Sequence, residues 1–454
     1  MVSFQTSFMI AVFLLTISLI VWKPRGINET VPTTLAALLV LLVGIVPLSD
    51  IMEIINTVSG ASITIISTII MSIVLESVGF FKWVAYNLVK KAEGSGIKLY
   101  FYTLLLCYLT TLFFNNDGSI LITTPIIIRI IKLLKLKPNQ QLPYLLSGAL
   151  IATAASAPIA VSNIANLIAL KIVGLDLNTY VAMMFIPSML GILTISFLLF
   201  IYYRKDIPKK IPSYSLQYRN WNQEKVLPEH PLSDHSMNGS LNIDWPTFRL
   251  CIVLVVLIRA SFFTLTPFGI PLEVIAIAGA ILLIAVRWFK QGKGSMDVFK
   301  KTPWHVLLFA FSMYVLVYGL HNVGISDLIV DMFKESMISD RFNTVMISGL
   351  LLTVLSNVLN NLPAVMIGTI AFVEMNLSIE MLQLAYLANI LGSDIGALIS
   401  PMGTLATLIW MFILRKNNIN VTWGQYIKVT ILVIPVGLFV SLFALYFWTE
   451  WLFF

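Results

Sequence analysis

The sequence predicts an all-α polytopic membrane protein made of two inverted-topology repeats, each with about five transmembrane helices, one of them broken, plus a re-entrant helical hairpin. Three observations predict it. Of the 454 residues, 58% are hydrophobic and 11% charged, against roughly 25% charged in a soluble domain, so the apolar surplus exceeds what a water-soluble core can hold. Long apolar runs follow one another, each near the ~20 residues that carry a helix across a ~30 Å hydrocarbon layer. They are apolar on every side, whereas barrel strands alternate. Finally, the same order of parts recurs on either side of one long polar stretch, 204–246.

In the first repeat, residues 1–203, spans run near Ser7 to Trp22, Pro32 to Val46 and Ser59 to Phe80. The first run lacks a basic leader and a small-residue cleavage site, and reads as a retained span. A hairpin at 100–131 follows, with Asn115-Asn116-Asp117-Gly118 at its tip, then a Pro-interrupted helix at 143–173 and a last span from Tyr180 to Tyr203. In the second repeat, 247–454, spans run near Thr247 to Thr266, Pro271 to Trp288 and Trp304 to His321. Its hairpin is 344–373, with Asn360-Asn361-Leu362-Pro363 at the tip; its broken helix is 382–414, and its last span runs from Tyr426 to Trp448. Asn116 and Asn361 lie 245 apart, Pro158 and Pro401 lie 243 apart, and Ser162 to Leu170 resembles Gly403 to Trp410, all in the same order. Such an echo is the mark of duplication.

The net charge of +7 does not point to nucleic acid, because Lys and Arg cluster at the ends of apolar runs, where they set topology. Lys23, Arg25, Lys82, Lys90, Lys91, Lys98, the group Arg204 to Lys210, Arg287, Lys290, Lys293, Lys300, Lys301, Arg415 and Lys416 are expected on the cytoplasmic side, and with them the linker 204–246. The first hairpin has basic flanks, the second is flanked by Asp340, Arg341 and Glu374. They therefore enter from opposite faces, as an inverted repeat requires.

In hydrocarbon, irregular backbone is tolerated only where protein buries it or water reaches it. Four such points occur: the tips Asn115–Gly118 and Asn360–Pro363, and the breaks Ala157–Asn163 and Leu398–Thr404. Asn, Ser and Thr supply donors and acceptors there, Gly and Pro free backbone groups, and helix ends add partial charge. The expected solute site is Asn115, Asn116, Ser162, Asn163, Asn166, Asn360, Asn361, Ser400, Gly403 and Thr404. The plainer alternative is that these residues only fasten helices together; four matched points favour a site. Asp117 and Asp394 are the expected proton-coupling carboxylates, since a charge at that depth costs at least ~2.5 kcal/mol and needs a partner, a proton or a cavity. Glu76, Glu273 and Arg259 are expected to snorkel near span ends.

Enzyme readings find little support. There is no phosphate-binding loop of the G-x-x-x-x-G-K-[ST] type, and His230, His235, His305 and His321 show no metal-ligand spacing. Cys107 and Cys251 read as packing thiols. No cofactor or resident metal is expected.

The stretches Phe113 to Ile128 (FFNNDGSILITTPIII), Val161 to Leu170, Thr302 to Gly324, Asn360 to Gly368 and Ala388 to Leu414 resemble the ArsB arsenical pump membrane protein (arsenite permease) family of the wider ion transporter superfamily. The resemblance covers nearly the whole chain. It implies export of arsenite, and often antimonite, across the cytoplasmic (inner) membrane, driven by protons, with an elevator-like movement and in some members a separate cytosolic ATPase subunit. Where the family typically has Asp in A-D-T-x-S-L-P, Thr153 stands here, and Leu398 replaces the Lys of G-P-K-I-T-P. Loss of both members of a buried ion pair is close to neutral, whereas loss of one strands a charge. The expectation is therefore a proton-coupled arsenite exporter, with a sodium/proton antiporter or anion transporter of the same superfamily as the alternative and an ion channel as the more distant one. Its partners would be arsenite or antimonite, protons and the lipid bilayer, with no nucleic acid.

Overall fold

The computed structural model describes residues 4–22, 27–211, 244–292 and 294–454, whose regular structure is helical throughout. Most of the linker 204–246, with His230 and His235, lies outside the described residues, as do Lys23, Arg25 and Lys293.

The first half contains α1 (Phe4–Trp22), α2 (Thr30–Leu42), α3 (Ile51–Ser77), α4 (Phe80–Lys91), α5 (Gly96–Phe113), α6 (Asn116–Leu133), α7 (Pro138–Ala154), α8 (Ile164–Val173) and α9 (Leu177–Tyr203). The second contains α10 (Trp245–Leu265), α11 (Leu272–Gln291), a short α12 (Met296–Lys301), α13 (His305–Asn322), α14 (Ile325–Ser339), α15 (Arg341–Leu359), α16 (Asn361–Glu374), α17 (Ile379–Asp394), α18 (Leu405–Lys416) and α19 (Trp423–Leu452). Among the described residues, ten helices are long and apolar enough to span a membrane. The chain is an all-α, multi-pass membrane protein.

Each half follows one plan: two helices, a long central helix, a short surface helix, a hairpin, a broken helix and a final span. The surface helices α4 and α14 were not expected from the apolar runs, because each is cut off from the preceding span by a single glycine. Gly79 (φ +85°) and Gly324 (φ +83°) make these turns in the left-handed region that favours glycine. They lie 245 apart, the same offset as the tip asparagines. The second element is shorter than expected, 30–42, and the third begins earlier, at Ile51.

Contacts between the halves come in exchanged pairs. α2 packs on α13 as α3 packs on α11, and α8 packs on α16 as α6 packs on α18. The two final spans, α9 and α19, pack on each other. Their crossing is close because small residues face it: a Cβ added at Gly191 would fall 2.9 Å from the Gly437 carbonyl oxygen, and one at Gly437 would fall 2.3 Å from Ile195 Cγ1. The most enclosed spans are α3 and α17, each 83% buried, against 28% for α1. The core therefore runs through the third element of one half and the broken helix of the other.

Candidate functional site

The first break lies between α7 and α8. Pro158 has no N–H and disfavours helical backbone at Ala157, so the chain leaves α7 and makes only a 3-10 turn, Ala160–Ser162, before α8 begins. The freed Ala157 carbonyl accepts a hydrogen bond from the Tyr180 hydroxyl at 2.6 Å. Asn163 caps α8, its Oδ1 accepting from the Ala165 N–H at 3.0 Å. That bond fixes the amide orientation and leaves Nδ2 as a free donor.

The donor is taken by a residue of the other half. Asp394, the last residue of α17, is fully buried, and its Oδ1 accepts from Asn163 Nδ2 at 2.8 Å. Its Oδ2 accepts from Asn166 Nδ2 at 2.7 Å and from the Ser156 hydroxyl at 2.7 Å. Ser156 Oγ is equally near the Thr153 carbonyl, but one hydroxyl proton serves one acceptor, and the charged one is stronger. Asn163 and Asn166 belong to the first turn of α8, so the carboxylate also faces the positive end of that helix dipole. Among the described residues, no basic side chain pairs with Asp394; three neutral donors and a helix end hold it. The Tyr386 hydroxyl donates to the Asn166 carbonyl at 2.9 Å, and its ring lies 5.9 Å from that of Tyr180. Ser162 Oγ and Asn166 Oδ1 are buried here with no hydrogen-bond partner among the described residues, leaving acceptor capacity inside the socket.

The second break is held differently. Asn357, on α15, donates to the Gly396 carbonyl at 2.9 Å and accepts from the Ser400 N–H at 2.7 Å, clasping both ends of the 3-10 turn Gly396–Ile399. The Thr430 hydroxyl donates to the Ile399 carbonyl at 2.7 Å. Thr404 caps α18 through the Thr407 N–H at 3.1 Å. Gly403 is required by close approach, since a Cβ there would sit 1.8 Å from the Ala397 carbonyl oxygen.

At the first tip Asn115 caps α6, accepting from the Gly118 N–H at 2.7 Å, and Asn116 Oδ1 accepts from the Asp117 N–H at 2.8 Å. Asp117 is half-buried; its carboxylate has no hydrogen-bond or ion-pair partner among the described residues, and Glu29 and Asp394 are charged groups near it. At the second tip Asn360 adopts φ +79°, ψ 155°, a backbone region left almost entirely to glycine, and donates to the Met402 carbonyl at 2.9 Å. Asn361 is buried as the first residue of α16. Because α6 packs on α18 and α8 on α16, each tip helix meets the broken helix of the opposite half.

Three of the expected solute ligands, Asn115, Asn163 and Thr404, thus spend an oxygen on helix caps, while Asn360 donates through Nδ2 and Ser400 through its backbone N–H to brace the second break. The expected Asp394 lies in the first break, joined to Asn163 and Asn166. Ser156, Asn357, Tyr180 and Tyr386 were missed, because their partners lie 23 or more positions away in the chain. Arg259 does not snorkel. It is buried and donates through Nε to the Phe113 carbonyl at 2.5 Å and through an Nη to that of Phe114 at 2.8 Å, beside the first tip. Glu273 stays near its span end, against Gly60 of α3, and Glu76 lies near Lys82, Arg129 and Lys301. Cys107 and Cys251 are buried free thiols. His321 pairs with Glu374 at 3.1 Å, and no group of potential metal ligands occurs among the described residues.

The family model described as ArsB, arsenical pump membrane protein, matches residues 8–449. The chain belongs to this family. It is 48% identical to the putative arsenical pump membrane protein of Bacillus subtilis (strain 168), over 97% of this chain and 99% of that one. It is 33% identical to an arsenical pump membrane protein of Escherichia coli, over 96% and 97% of the two chains. Among solved structures it is similar in fold to the YdaH transporter of Alcanivorax borkumensis, with a TM-score of 0.53 at 14% identity, over 88% of this chain and 87% of that one. Thr153 and Leu398, where the resemblance implies Asp and Lys, belong to touching elements, since α7 packs against the Gly396–Ile399 turn. The relatives are membrane pumps, and this chain is a membrane transport protein of their family.

Proposed function

We propose that this chain is a secondary active transporter that exports arsenite, and antimonite with it, across the cytoplasmic membrane in exchange for protons. The observation that supports this most is the Asp394 socket: a carboxylate of one half held by Ser156, Asn163 and Asn166 of the other, in a chain of the arsenical pump family. Neutral arsenous acid is small and presents only hydroxyl groups. The unpartnered Ser162 Oγ and Asn166 Oδ1 suit such a cargo, together with Asn116, Asn361 and Gly403 around the breaks. A three-thiolate arsenic site is out of reach of a chain with two cysteines. In this reading Asp394 organises the site, while Asp117, whose carboxylate is unpartnered among the described residues, carries the coupling proton.

The same proposal assigns the movement. The cross-packed pairs α6–α18 and α8–α16 form one body containing both tips and both breaks, and α9, α19 and the outer spans form the frame, so an elevator-type step carries the site as a unit. The two repeats have opposite orientations, and the linker 204–246 is cytoplasmic. A cytosolic ATPase subunit is not required by this cycle.

Uptake into everted membrane vesicles tests the function. Accumulation of arsenite that collapses with a protonophore is expected. Sodium/proton exchange indifferent to arsenite would overturn the cargo, and single-channel currents far above a carrier's turnover would overturn the mechanism.

A further inference from the structure

Arg259 is a cation at membrane depth in a helix largely exposed to lipid, and nothing in the site described so far uses it. It lies well inside α10 (Trp245–Leu265), is 7% exposed, and pairs with no carboxylate among the described residues. Its guanidinium instead binds the last two carbonyls before the first tip, Phe113 and Phe114. These are unsatisfied carbonyls at the C-terminus of α5, where the helix dipole is negative, so the cation is compensated by a helix end. The fork spans two consecutive carbonyls, which a single ammonium cannot reproduce. The tip residues Asn115, Asn116 and Asp117 follow immediately.

The seam that Arg259 crosses is otherwise apolar. α4, α5 and α10 line a half-open apolar groove of about 240 Å³, among others through Val84 and Leu88, Leu105 and Leu109, and Ile252 and Val255. Phe113 and Phe114, whose carbonyls Arg259 holds, also line it. Apolar contacts along such a groove are non-directional, so the two Arg259 hydrogen bonds are what fix the tip's position on α10. A directional polar fastening on an otherwise apolar face is the arrangement of a latch.

We infer that Arg259 is a positioning residue that latches the first hairpin tip to α10 of the opposite half and sets how often the tip leaves its docked position. This rests on the transport reading only for its effect on rate.

The test uses a cysteine reporter in the full-length protein, reconstituted in liposomes. Cys107 and Cys251 are changed to Ala and Leu112→Cys is introduced in the last turn of α5, where the wild-type residue is half-buried. With Arg259→Gln, maleimide labelling of the reporter is expected to rise at least tenfold. Arg259→Lys, which keeps charge but loses the fork, is expected to fall between, and carries the test if the Gln variant does not insert. In arsenite uptake, kcat is expected to change at least fivefold with KM changed less than twofold, because the latch acts on the tip's movement and Arg259 is placed away from the cargo. Labelling unchanged in both variants would overturn the latch, as would a KM effect with kcat intact. The labelling arm does not depend on the cargo, so it separates failure of the latch from failure of the transport reading.

Discussion

Asn163 does two jobs with one amide, and the two can be separated by substitution. Its Oδ1 caps α8 at 3.0 Å from the Ala165 nitrogen, and its Nδ2 donates to Asp394 at 2.8 Å. Asn163→Ala removes both. An N-cap contributes about 1 kcal/mol. Neutral hydrogen bonds between membrane helices average only about 0.6 kcal/mol, because the separated helices find other partners. The Asp394 bond has a charged acceptor, for which about 1.5–3 kcal/mol is the usual range. The total expected loss is then about 2.5–4 kcal/mol. Asn163→Ser restores the cap and not the second bond, so it should recover about 1 kcal/mol of that loss. Asn163→Asp keeps the cap but sets a second carboxylate against Asp394, and should be the least stable of the three. Unfolding would be followed by thermal melting in detergent, with a double-mutant cycle against Asp394→Ala isolating the bond between the halves. A coupling energy of at least about 1.5 kcal/mol is expected. If Asn163→Ser is as stable as the parent, or the cycle is additive, the Asp394 socket is not what joins the halves.

Asp117→Asn keeps the side chain's size and removes its titration; vesicle uptake should lose its dependence on the imposed pH gradient while the protein still inserts, and persistent coupling would move the proton to Asp394. Gly403→Ala places a Cβ 1.8 Å from a backbone carbonyl, and should cost about 3 kcal/mol or more in thermal unfolding, whereas Gly424→Ala, which meets nothing within 4 Å, should be neutral or slightly stabilising. Tyr180→Phe strips the buried Ala157 carbonyl of its donor, for a loss of about 1–3 kcal/mol; an unchanged melting temperature would mean that the first break is held by other means.

The four irregular points were legible because lipid leaves so few places for polar groups. Asn, Ser and Thr beside Pro or Gly inside an apolar run stand out without any knowledge of the fold. The capping roles of Asn115, Asn163 and Thr404 were legible in principle, since each stands immediately before a helix start. Ser156 and Asn357 were not: a single Ser or Asn in a membrane helix has many uses, and only the position of its partner selects one. Arg259 was misread for a related reason. Nearness to a span end suggests snorkelling, but the partner that guanidinium takes is a helix terminus 145 residues away in the chain.

The sequence by itself determined the membrane class and the location of the tips and breaks, because hydrophobic length and helix-breaking residues act locally, but not the surface helices α4 and α14. Only the tertiary structure decided that Asp394 of the second half occupies the socket of the first, that each tip helix meets the opposite broken helix, and that Arg259 closes the end of α5. A buried charge takes whichever donors or acceptors the packing brings near it. In a chain folded by exchanged contacts between two halves, those are the groups that chain order places far apart.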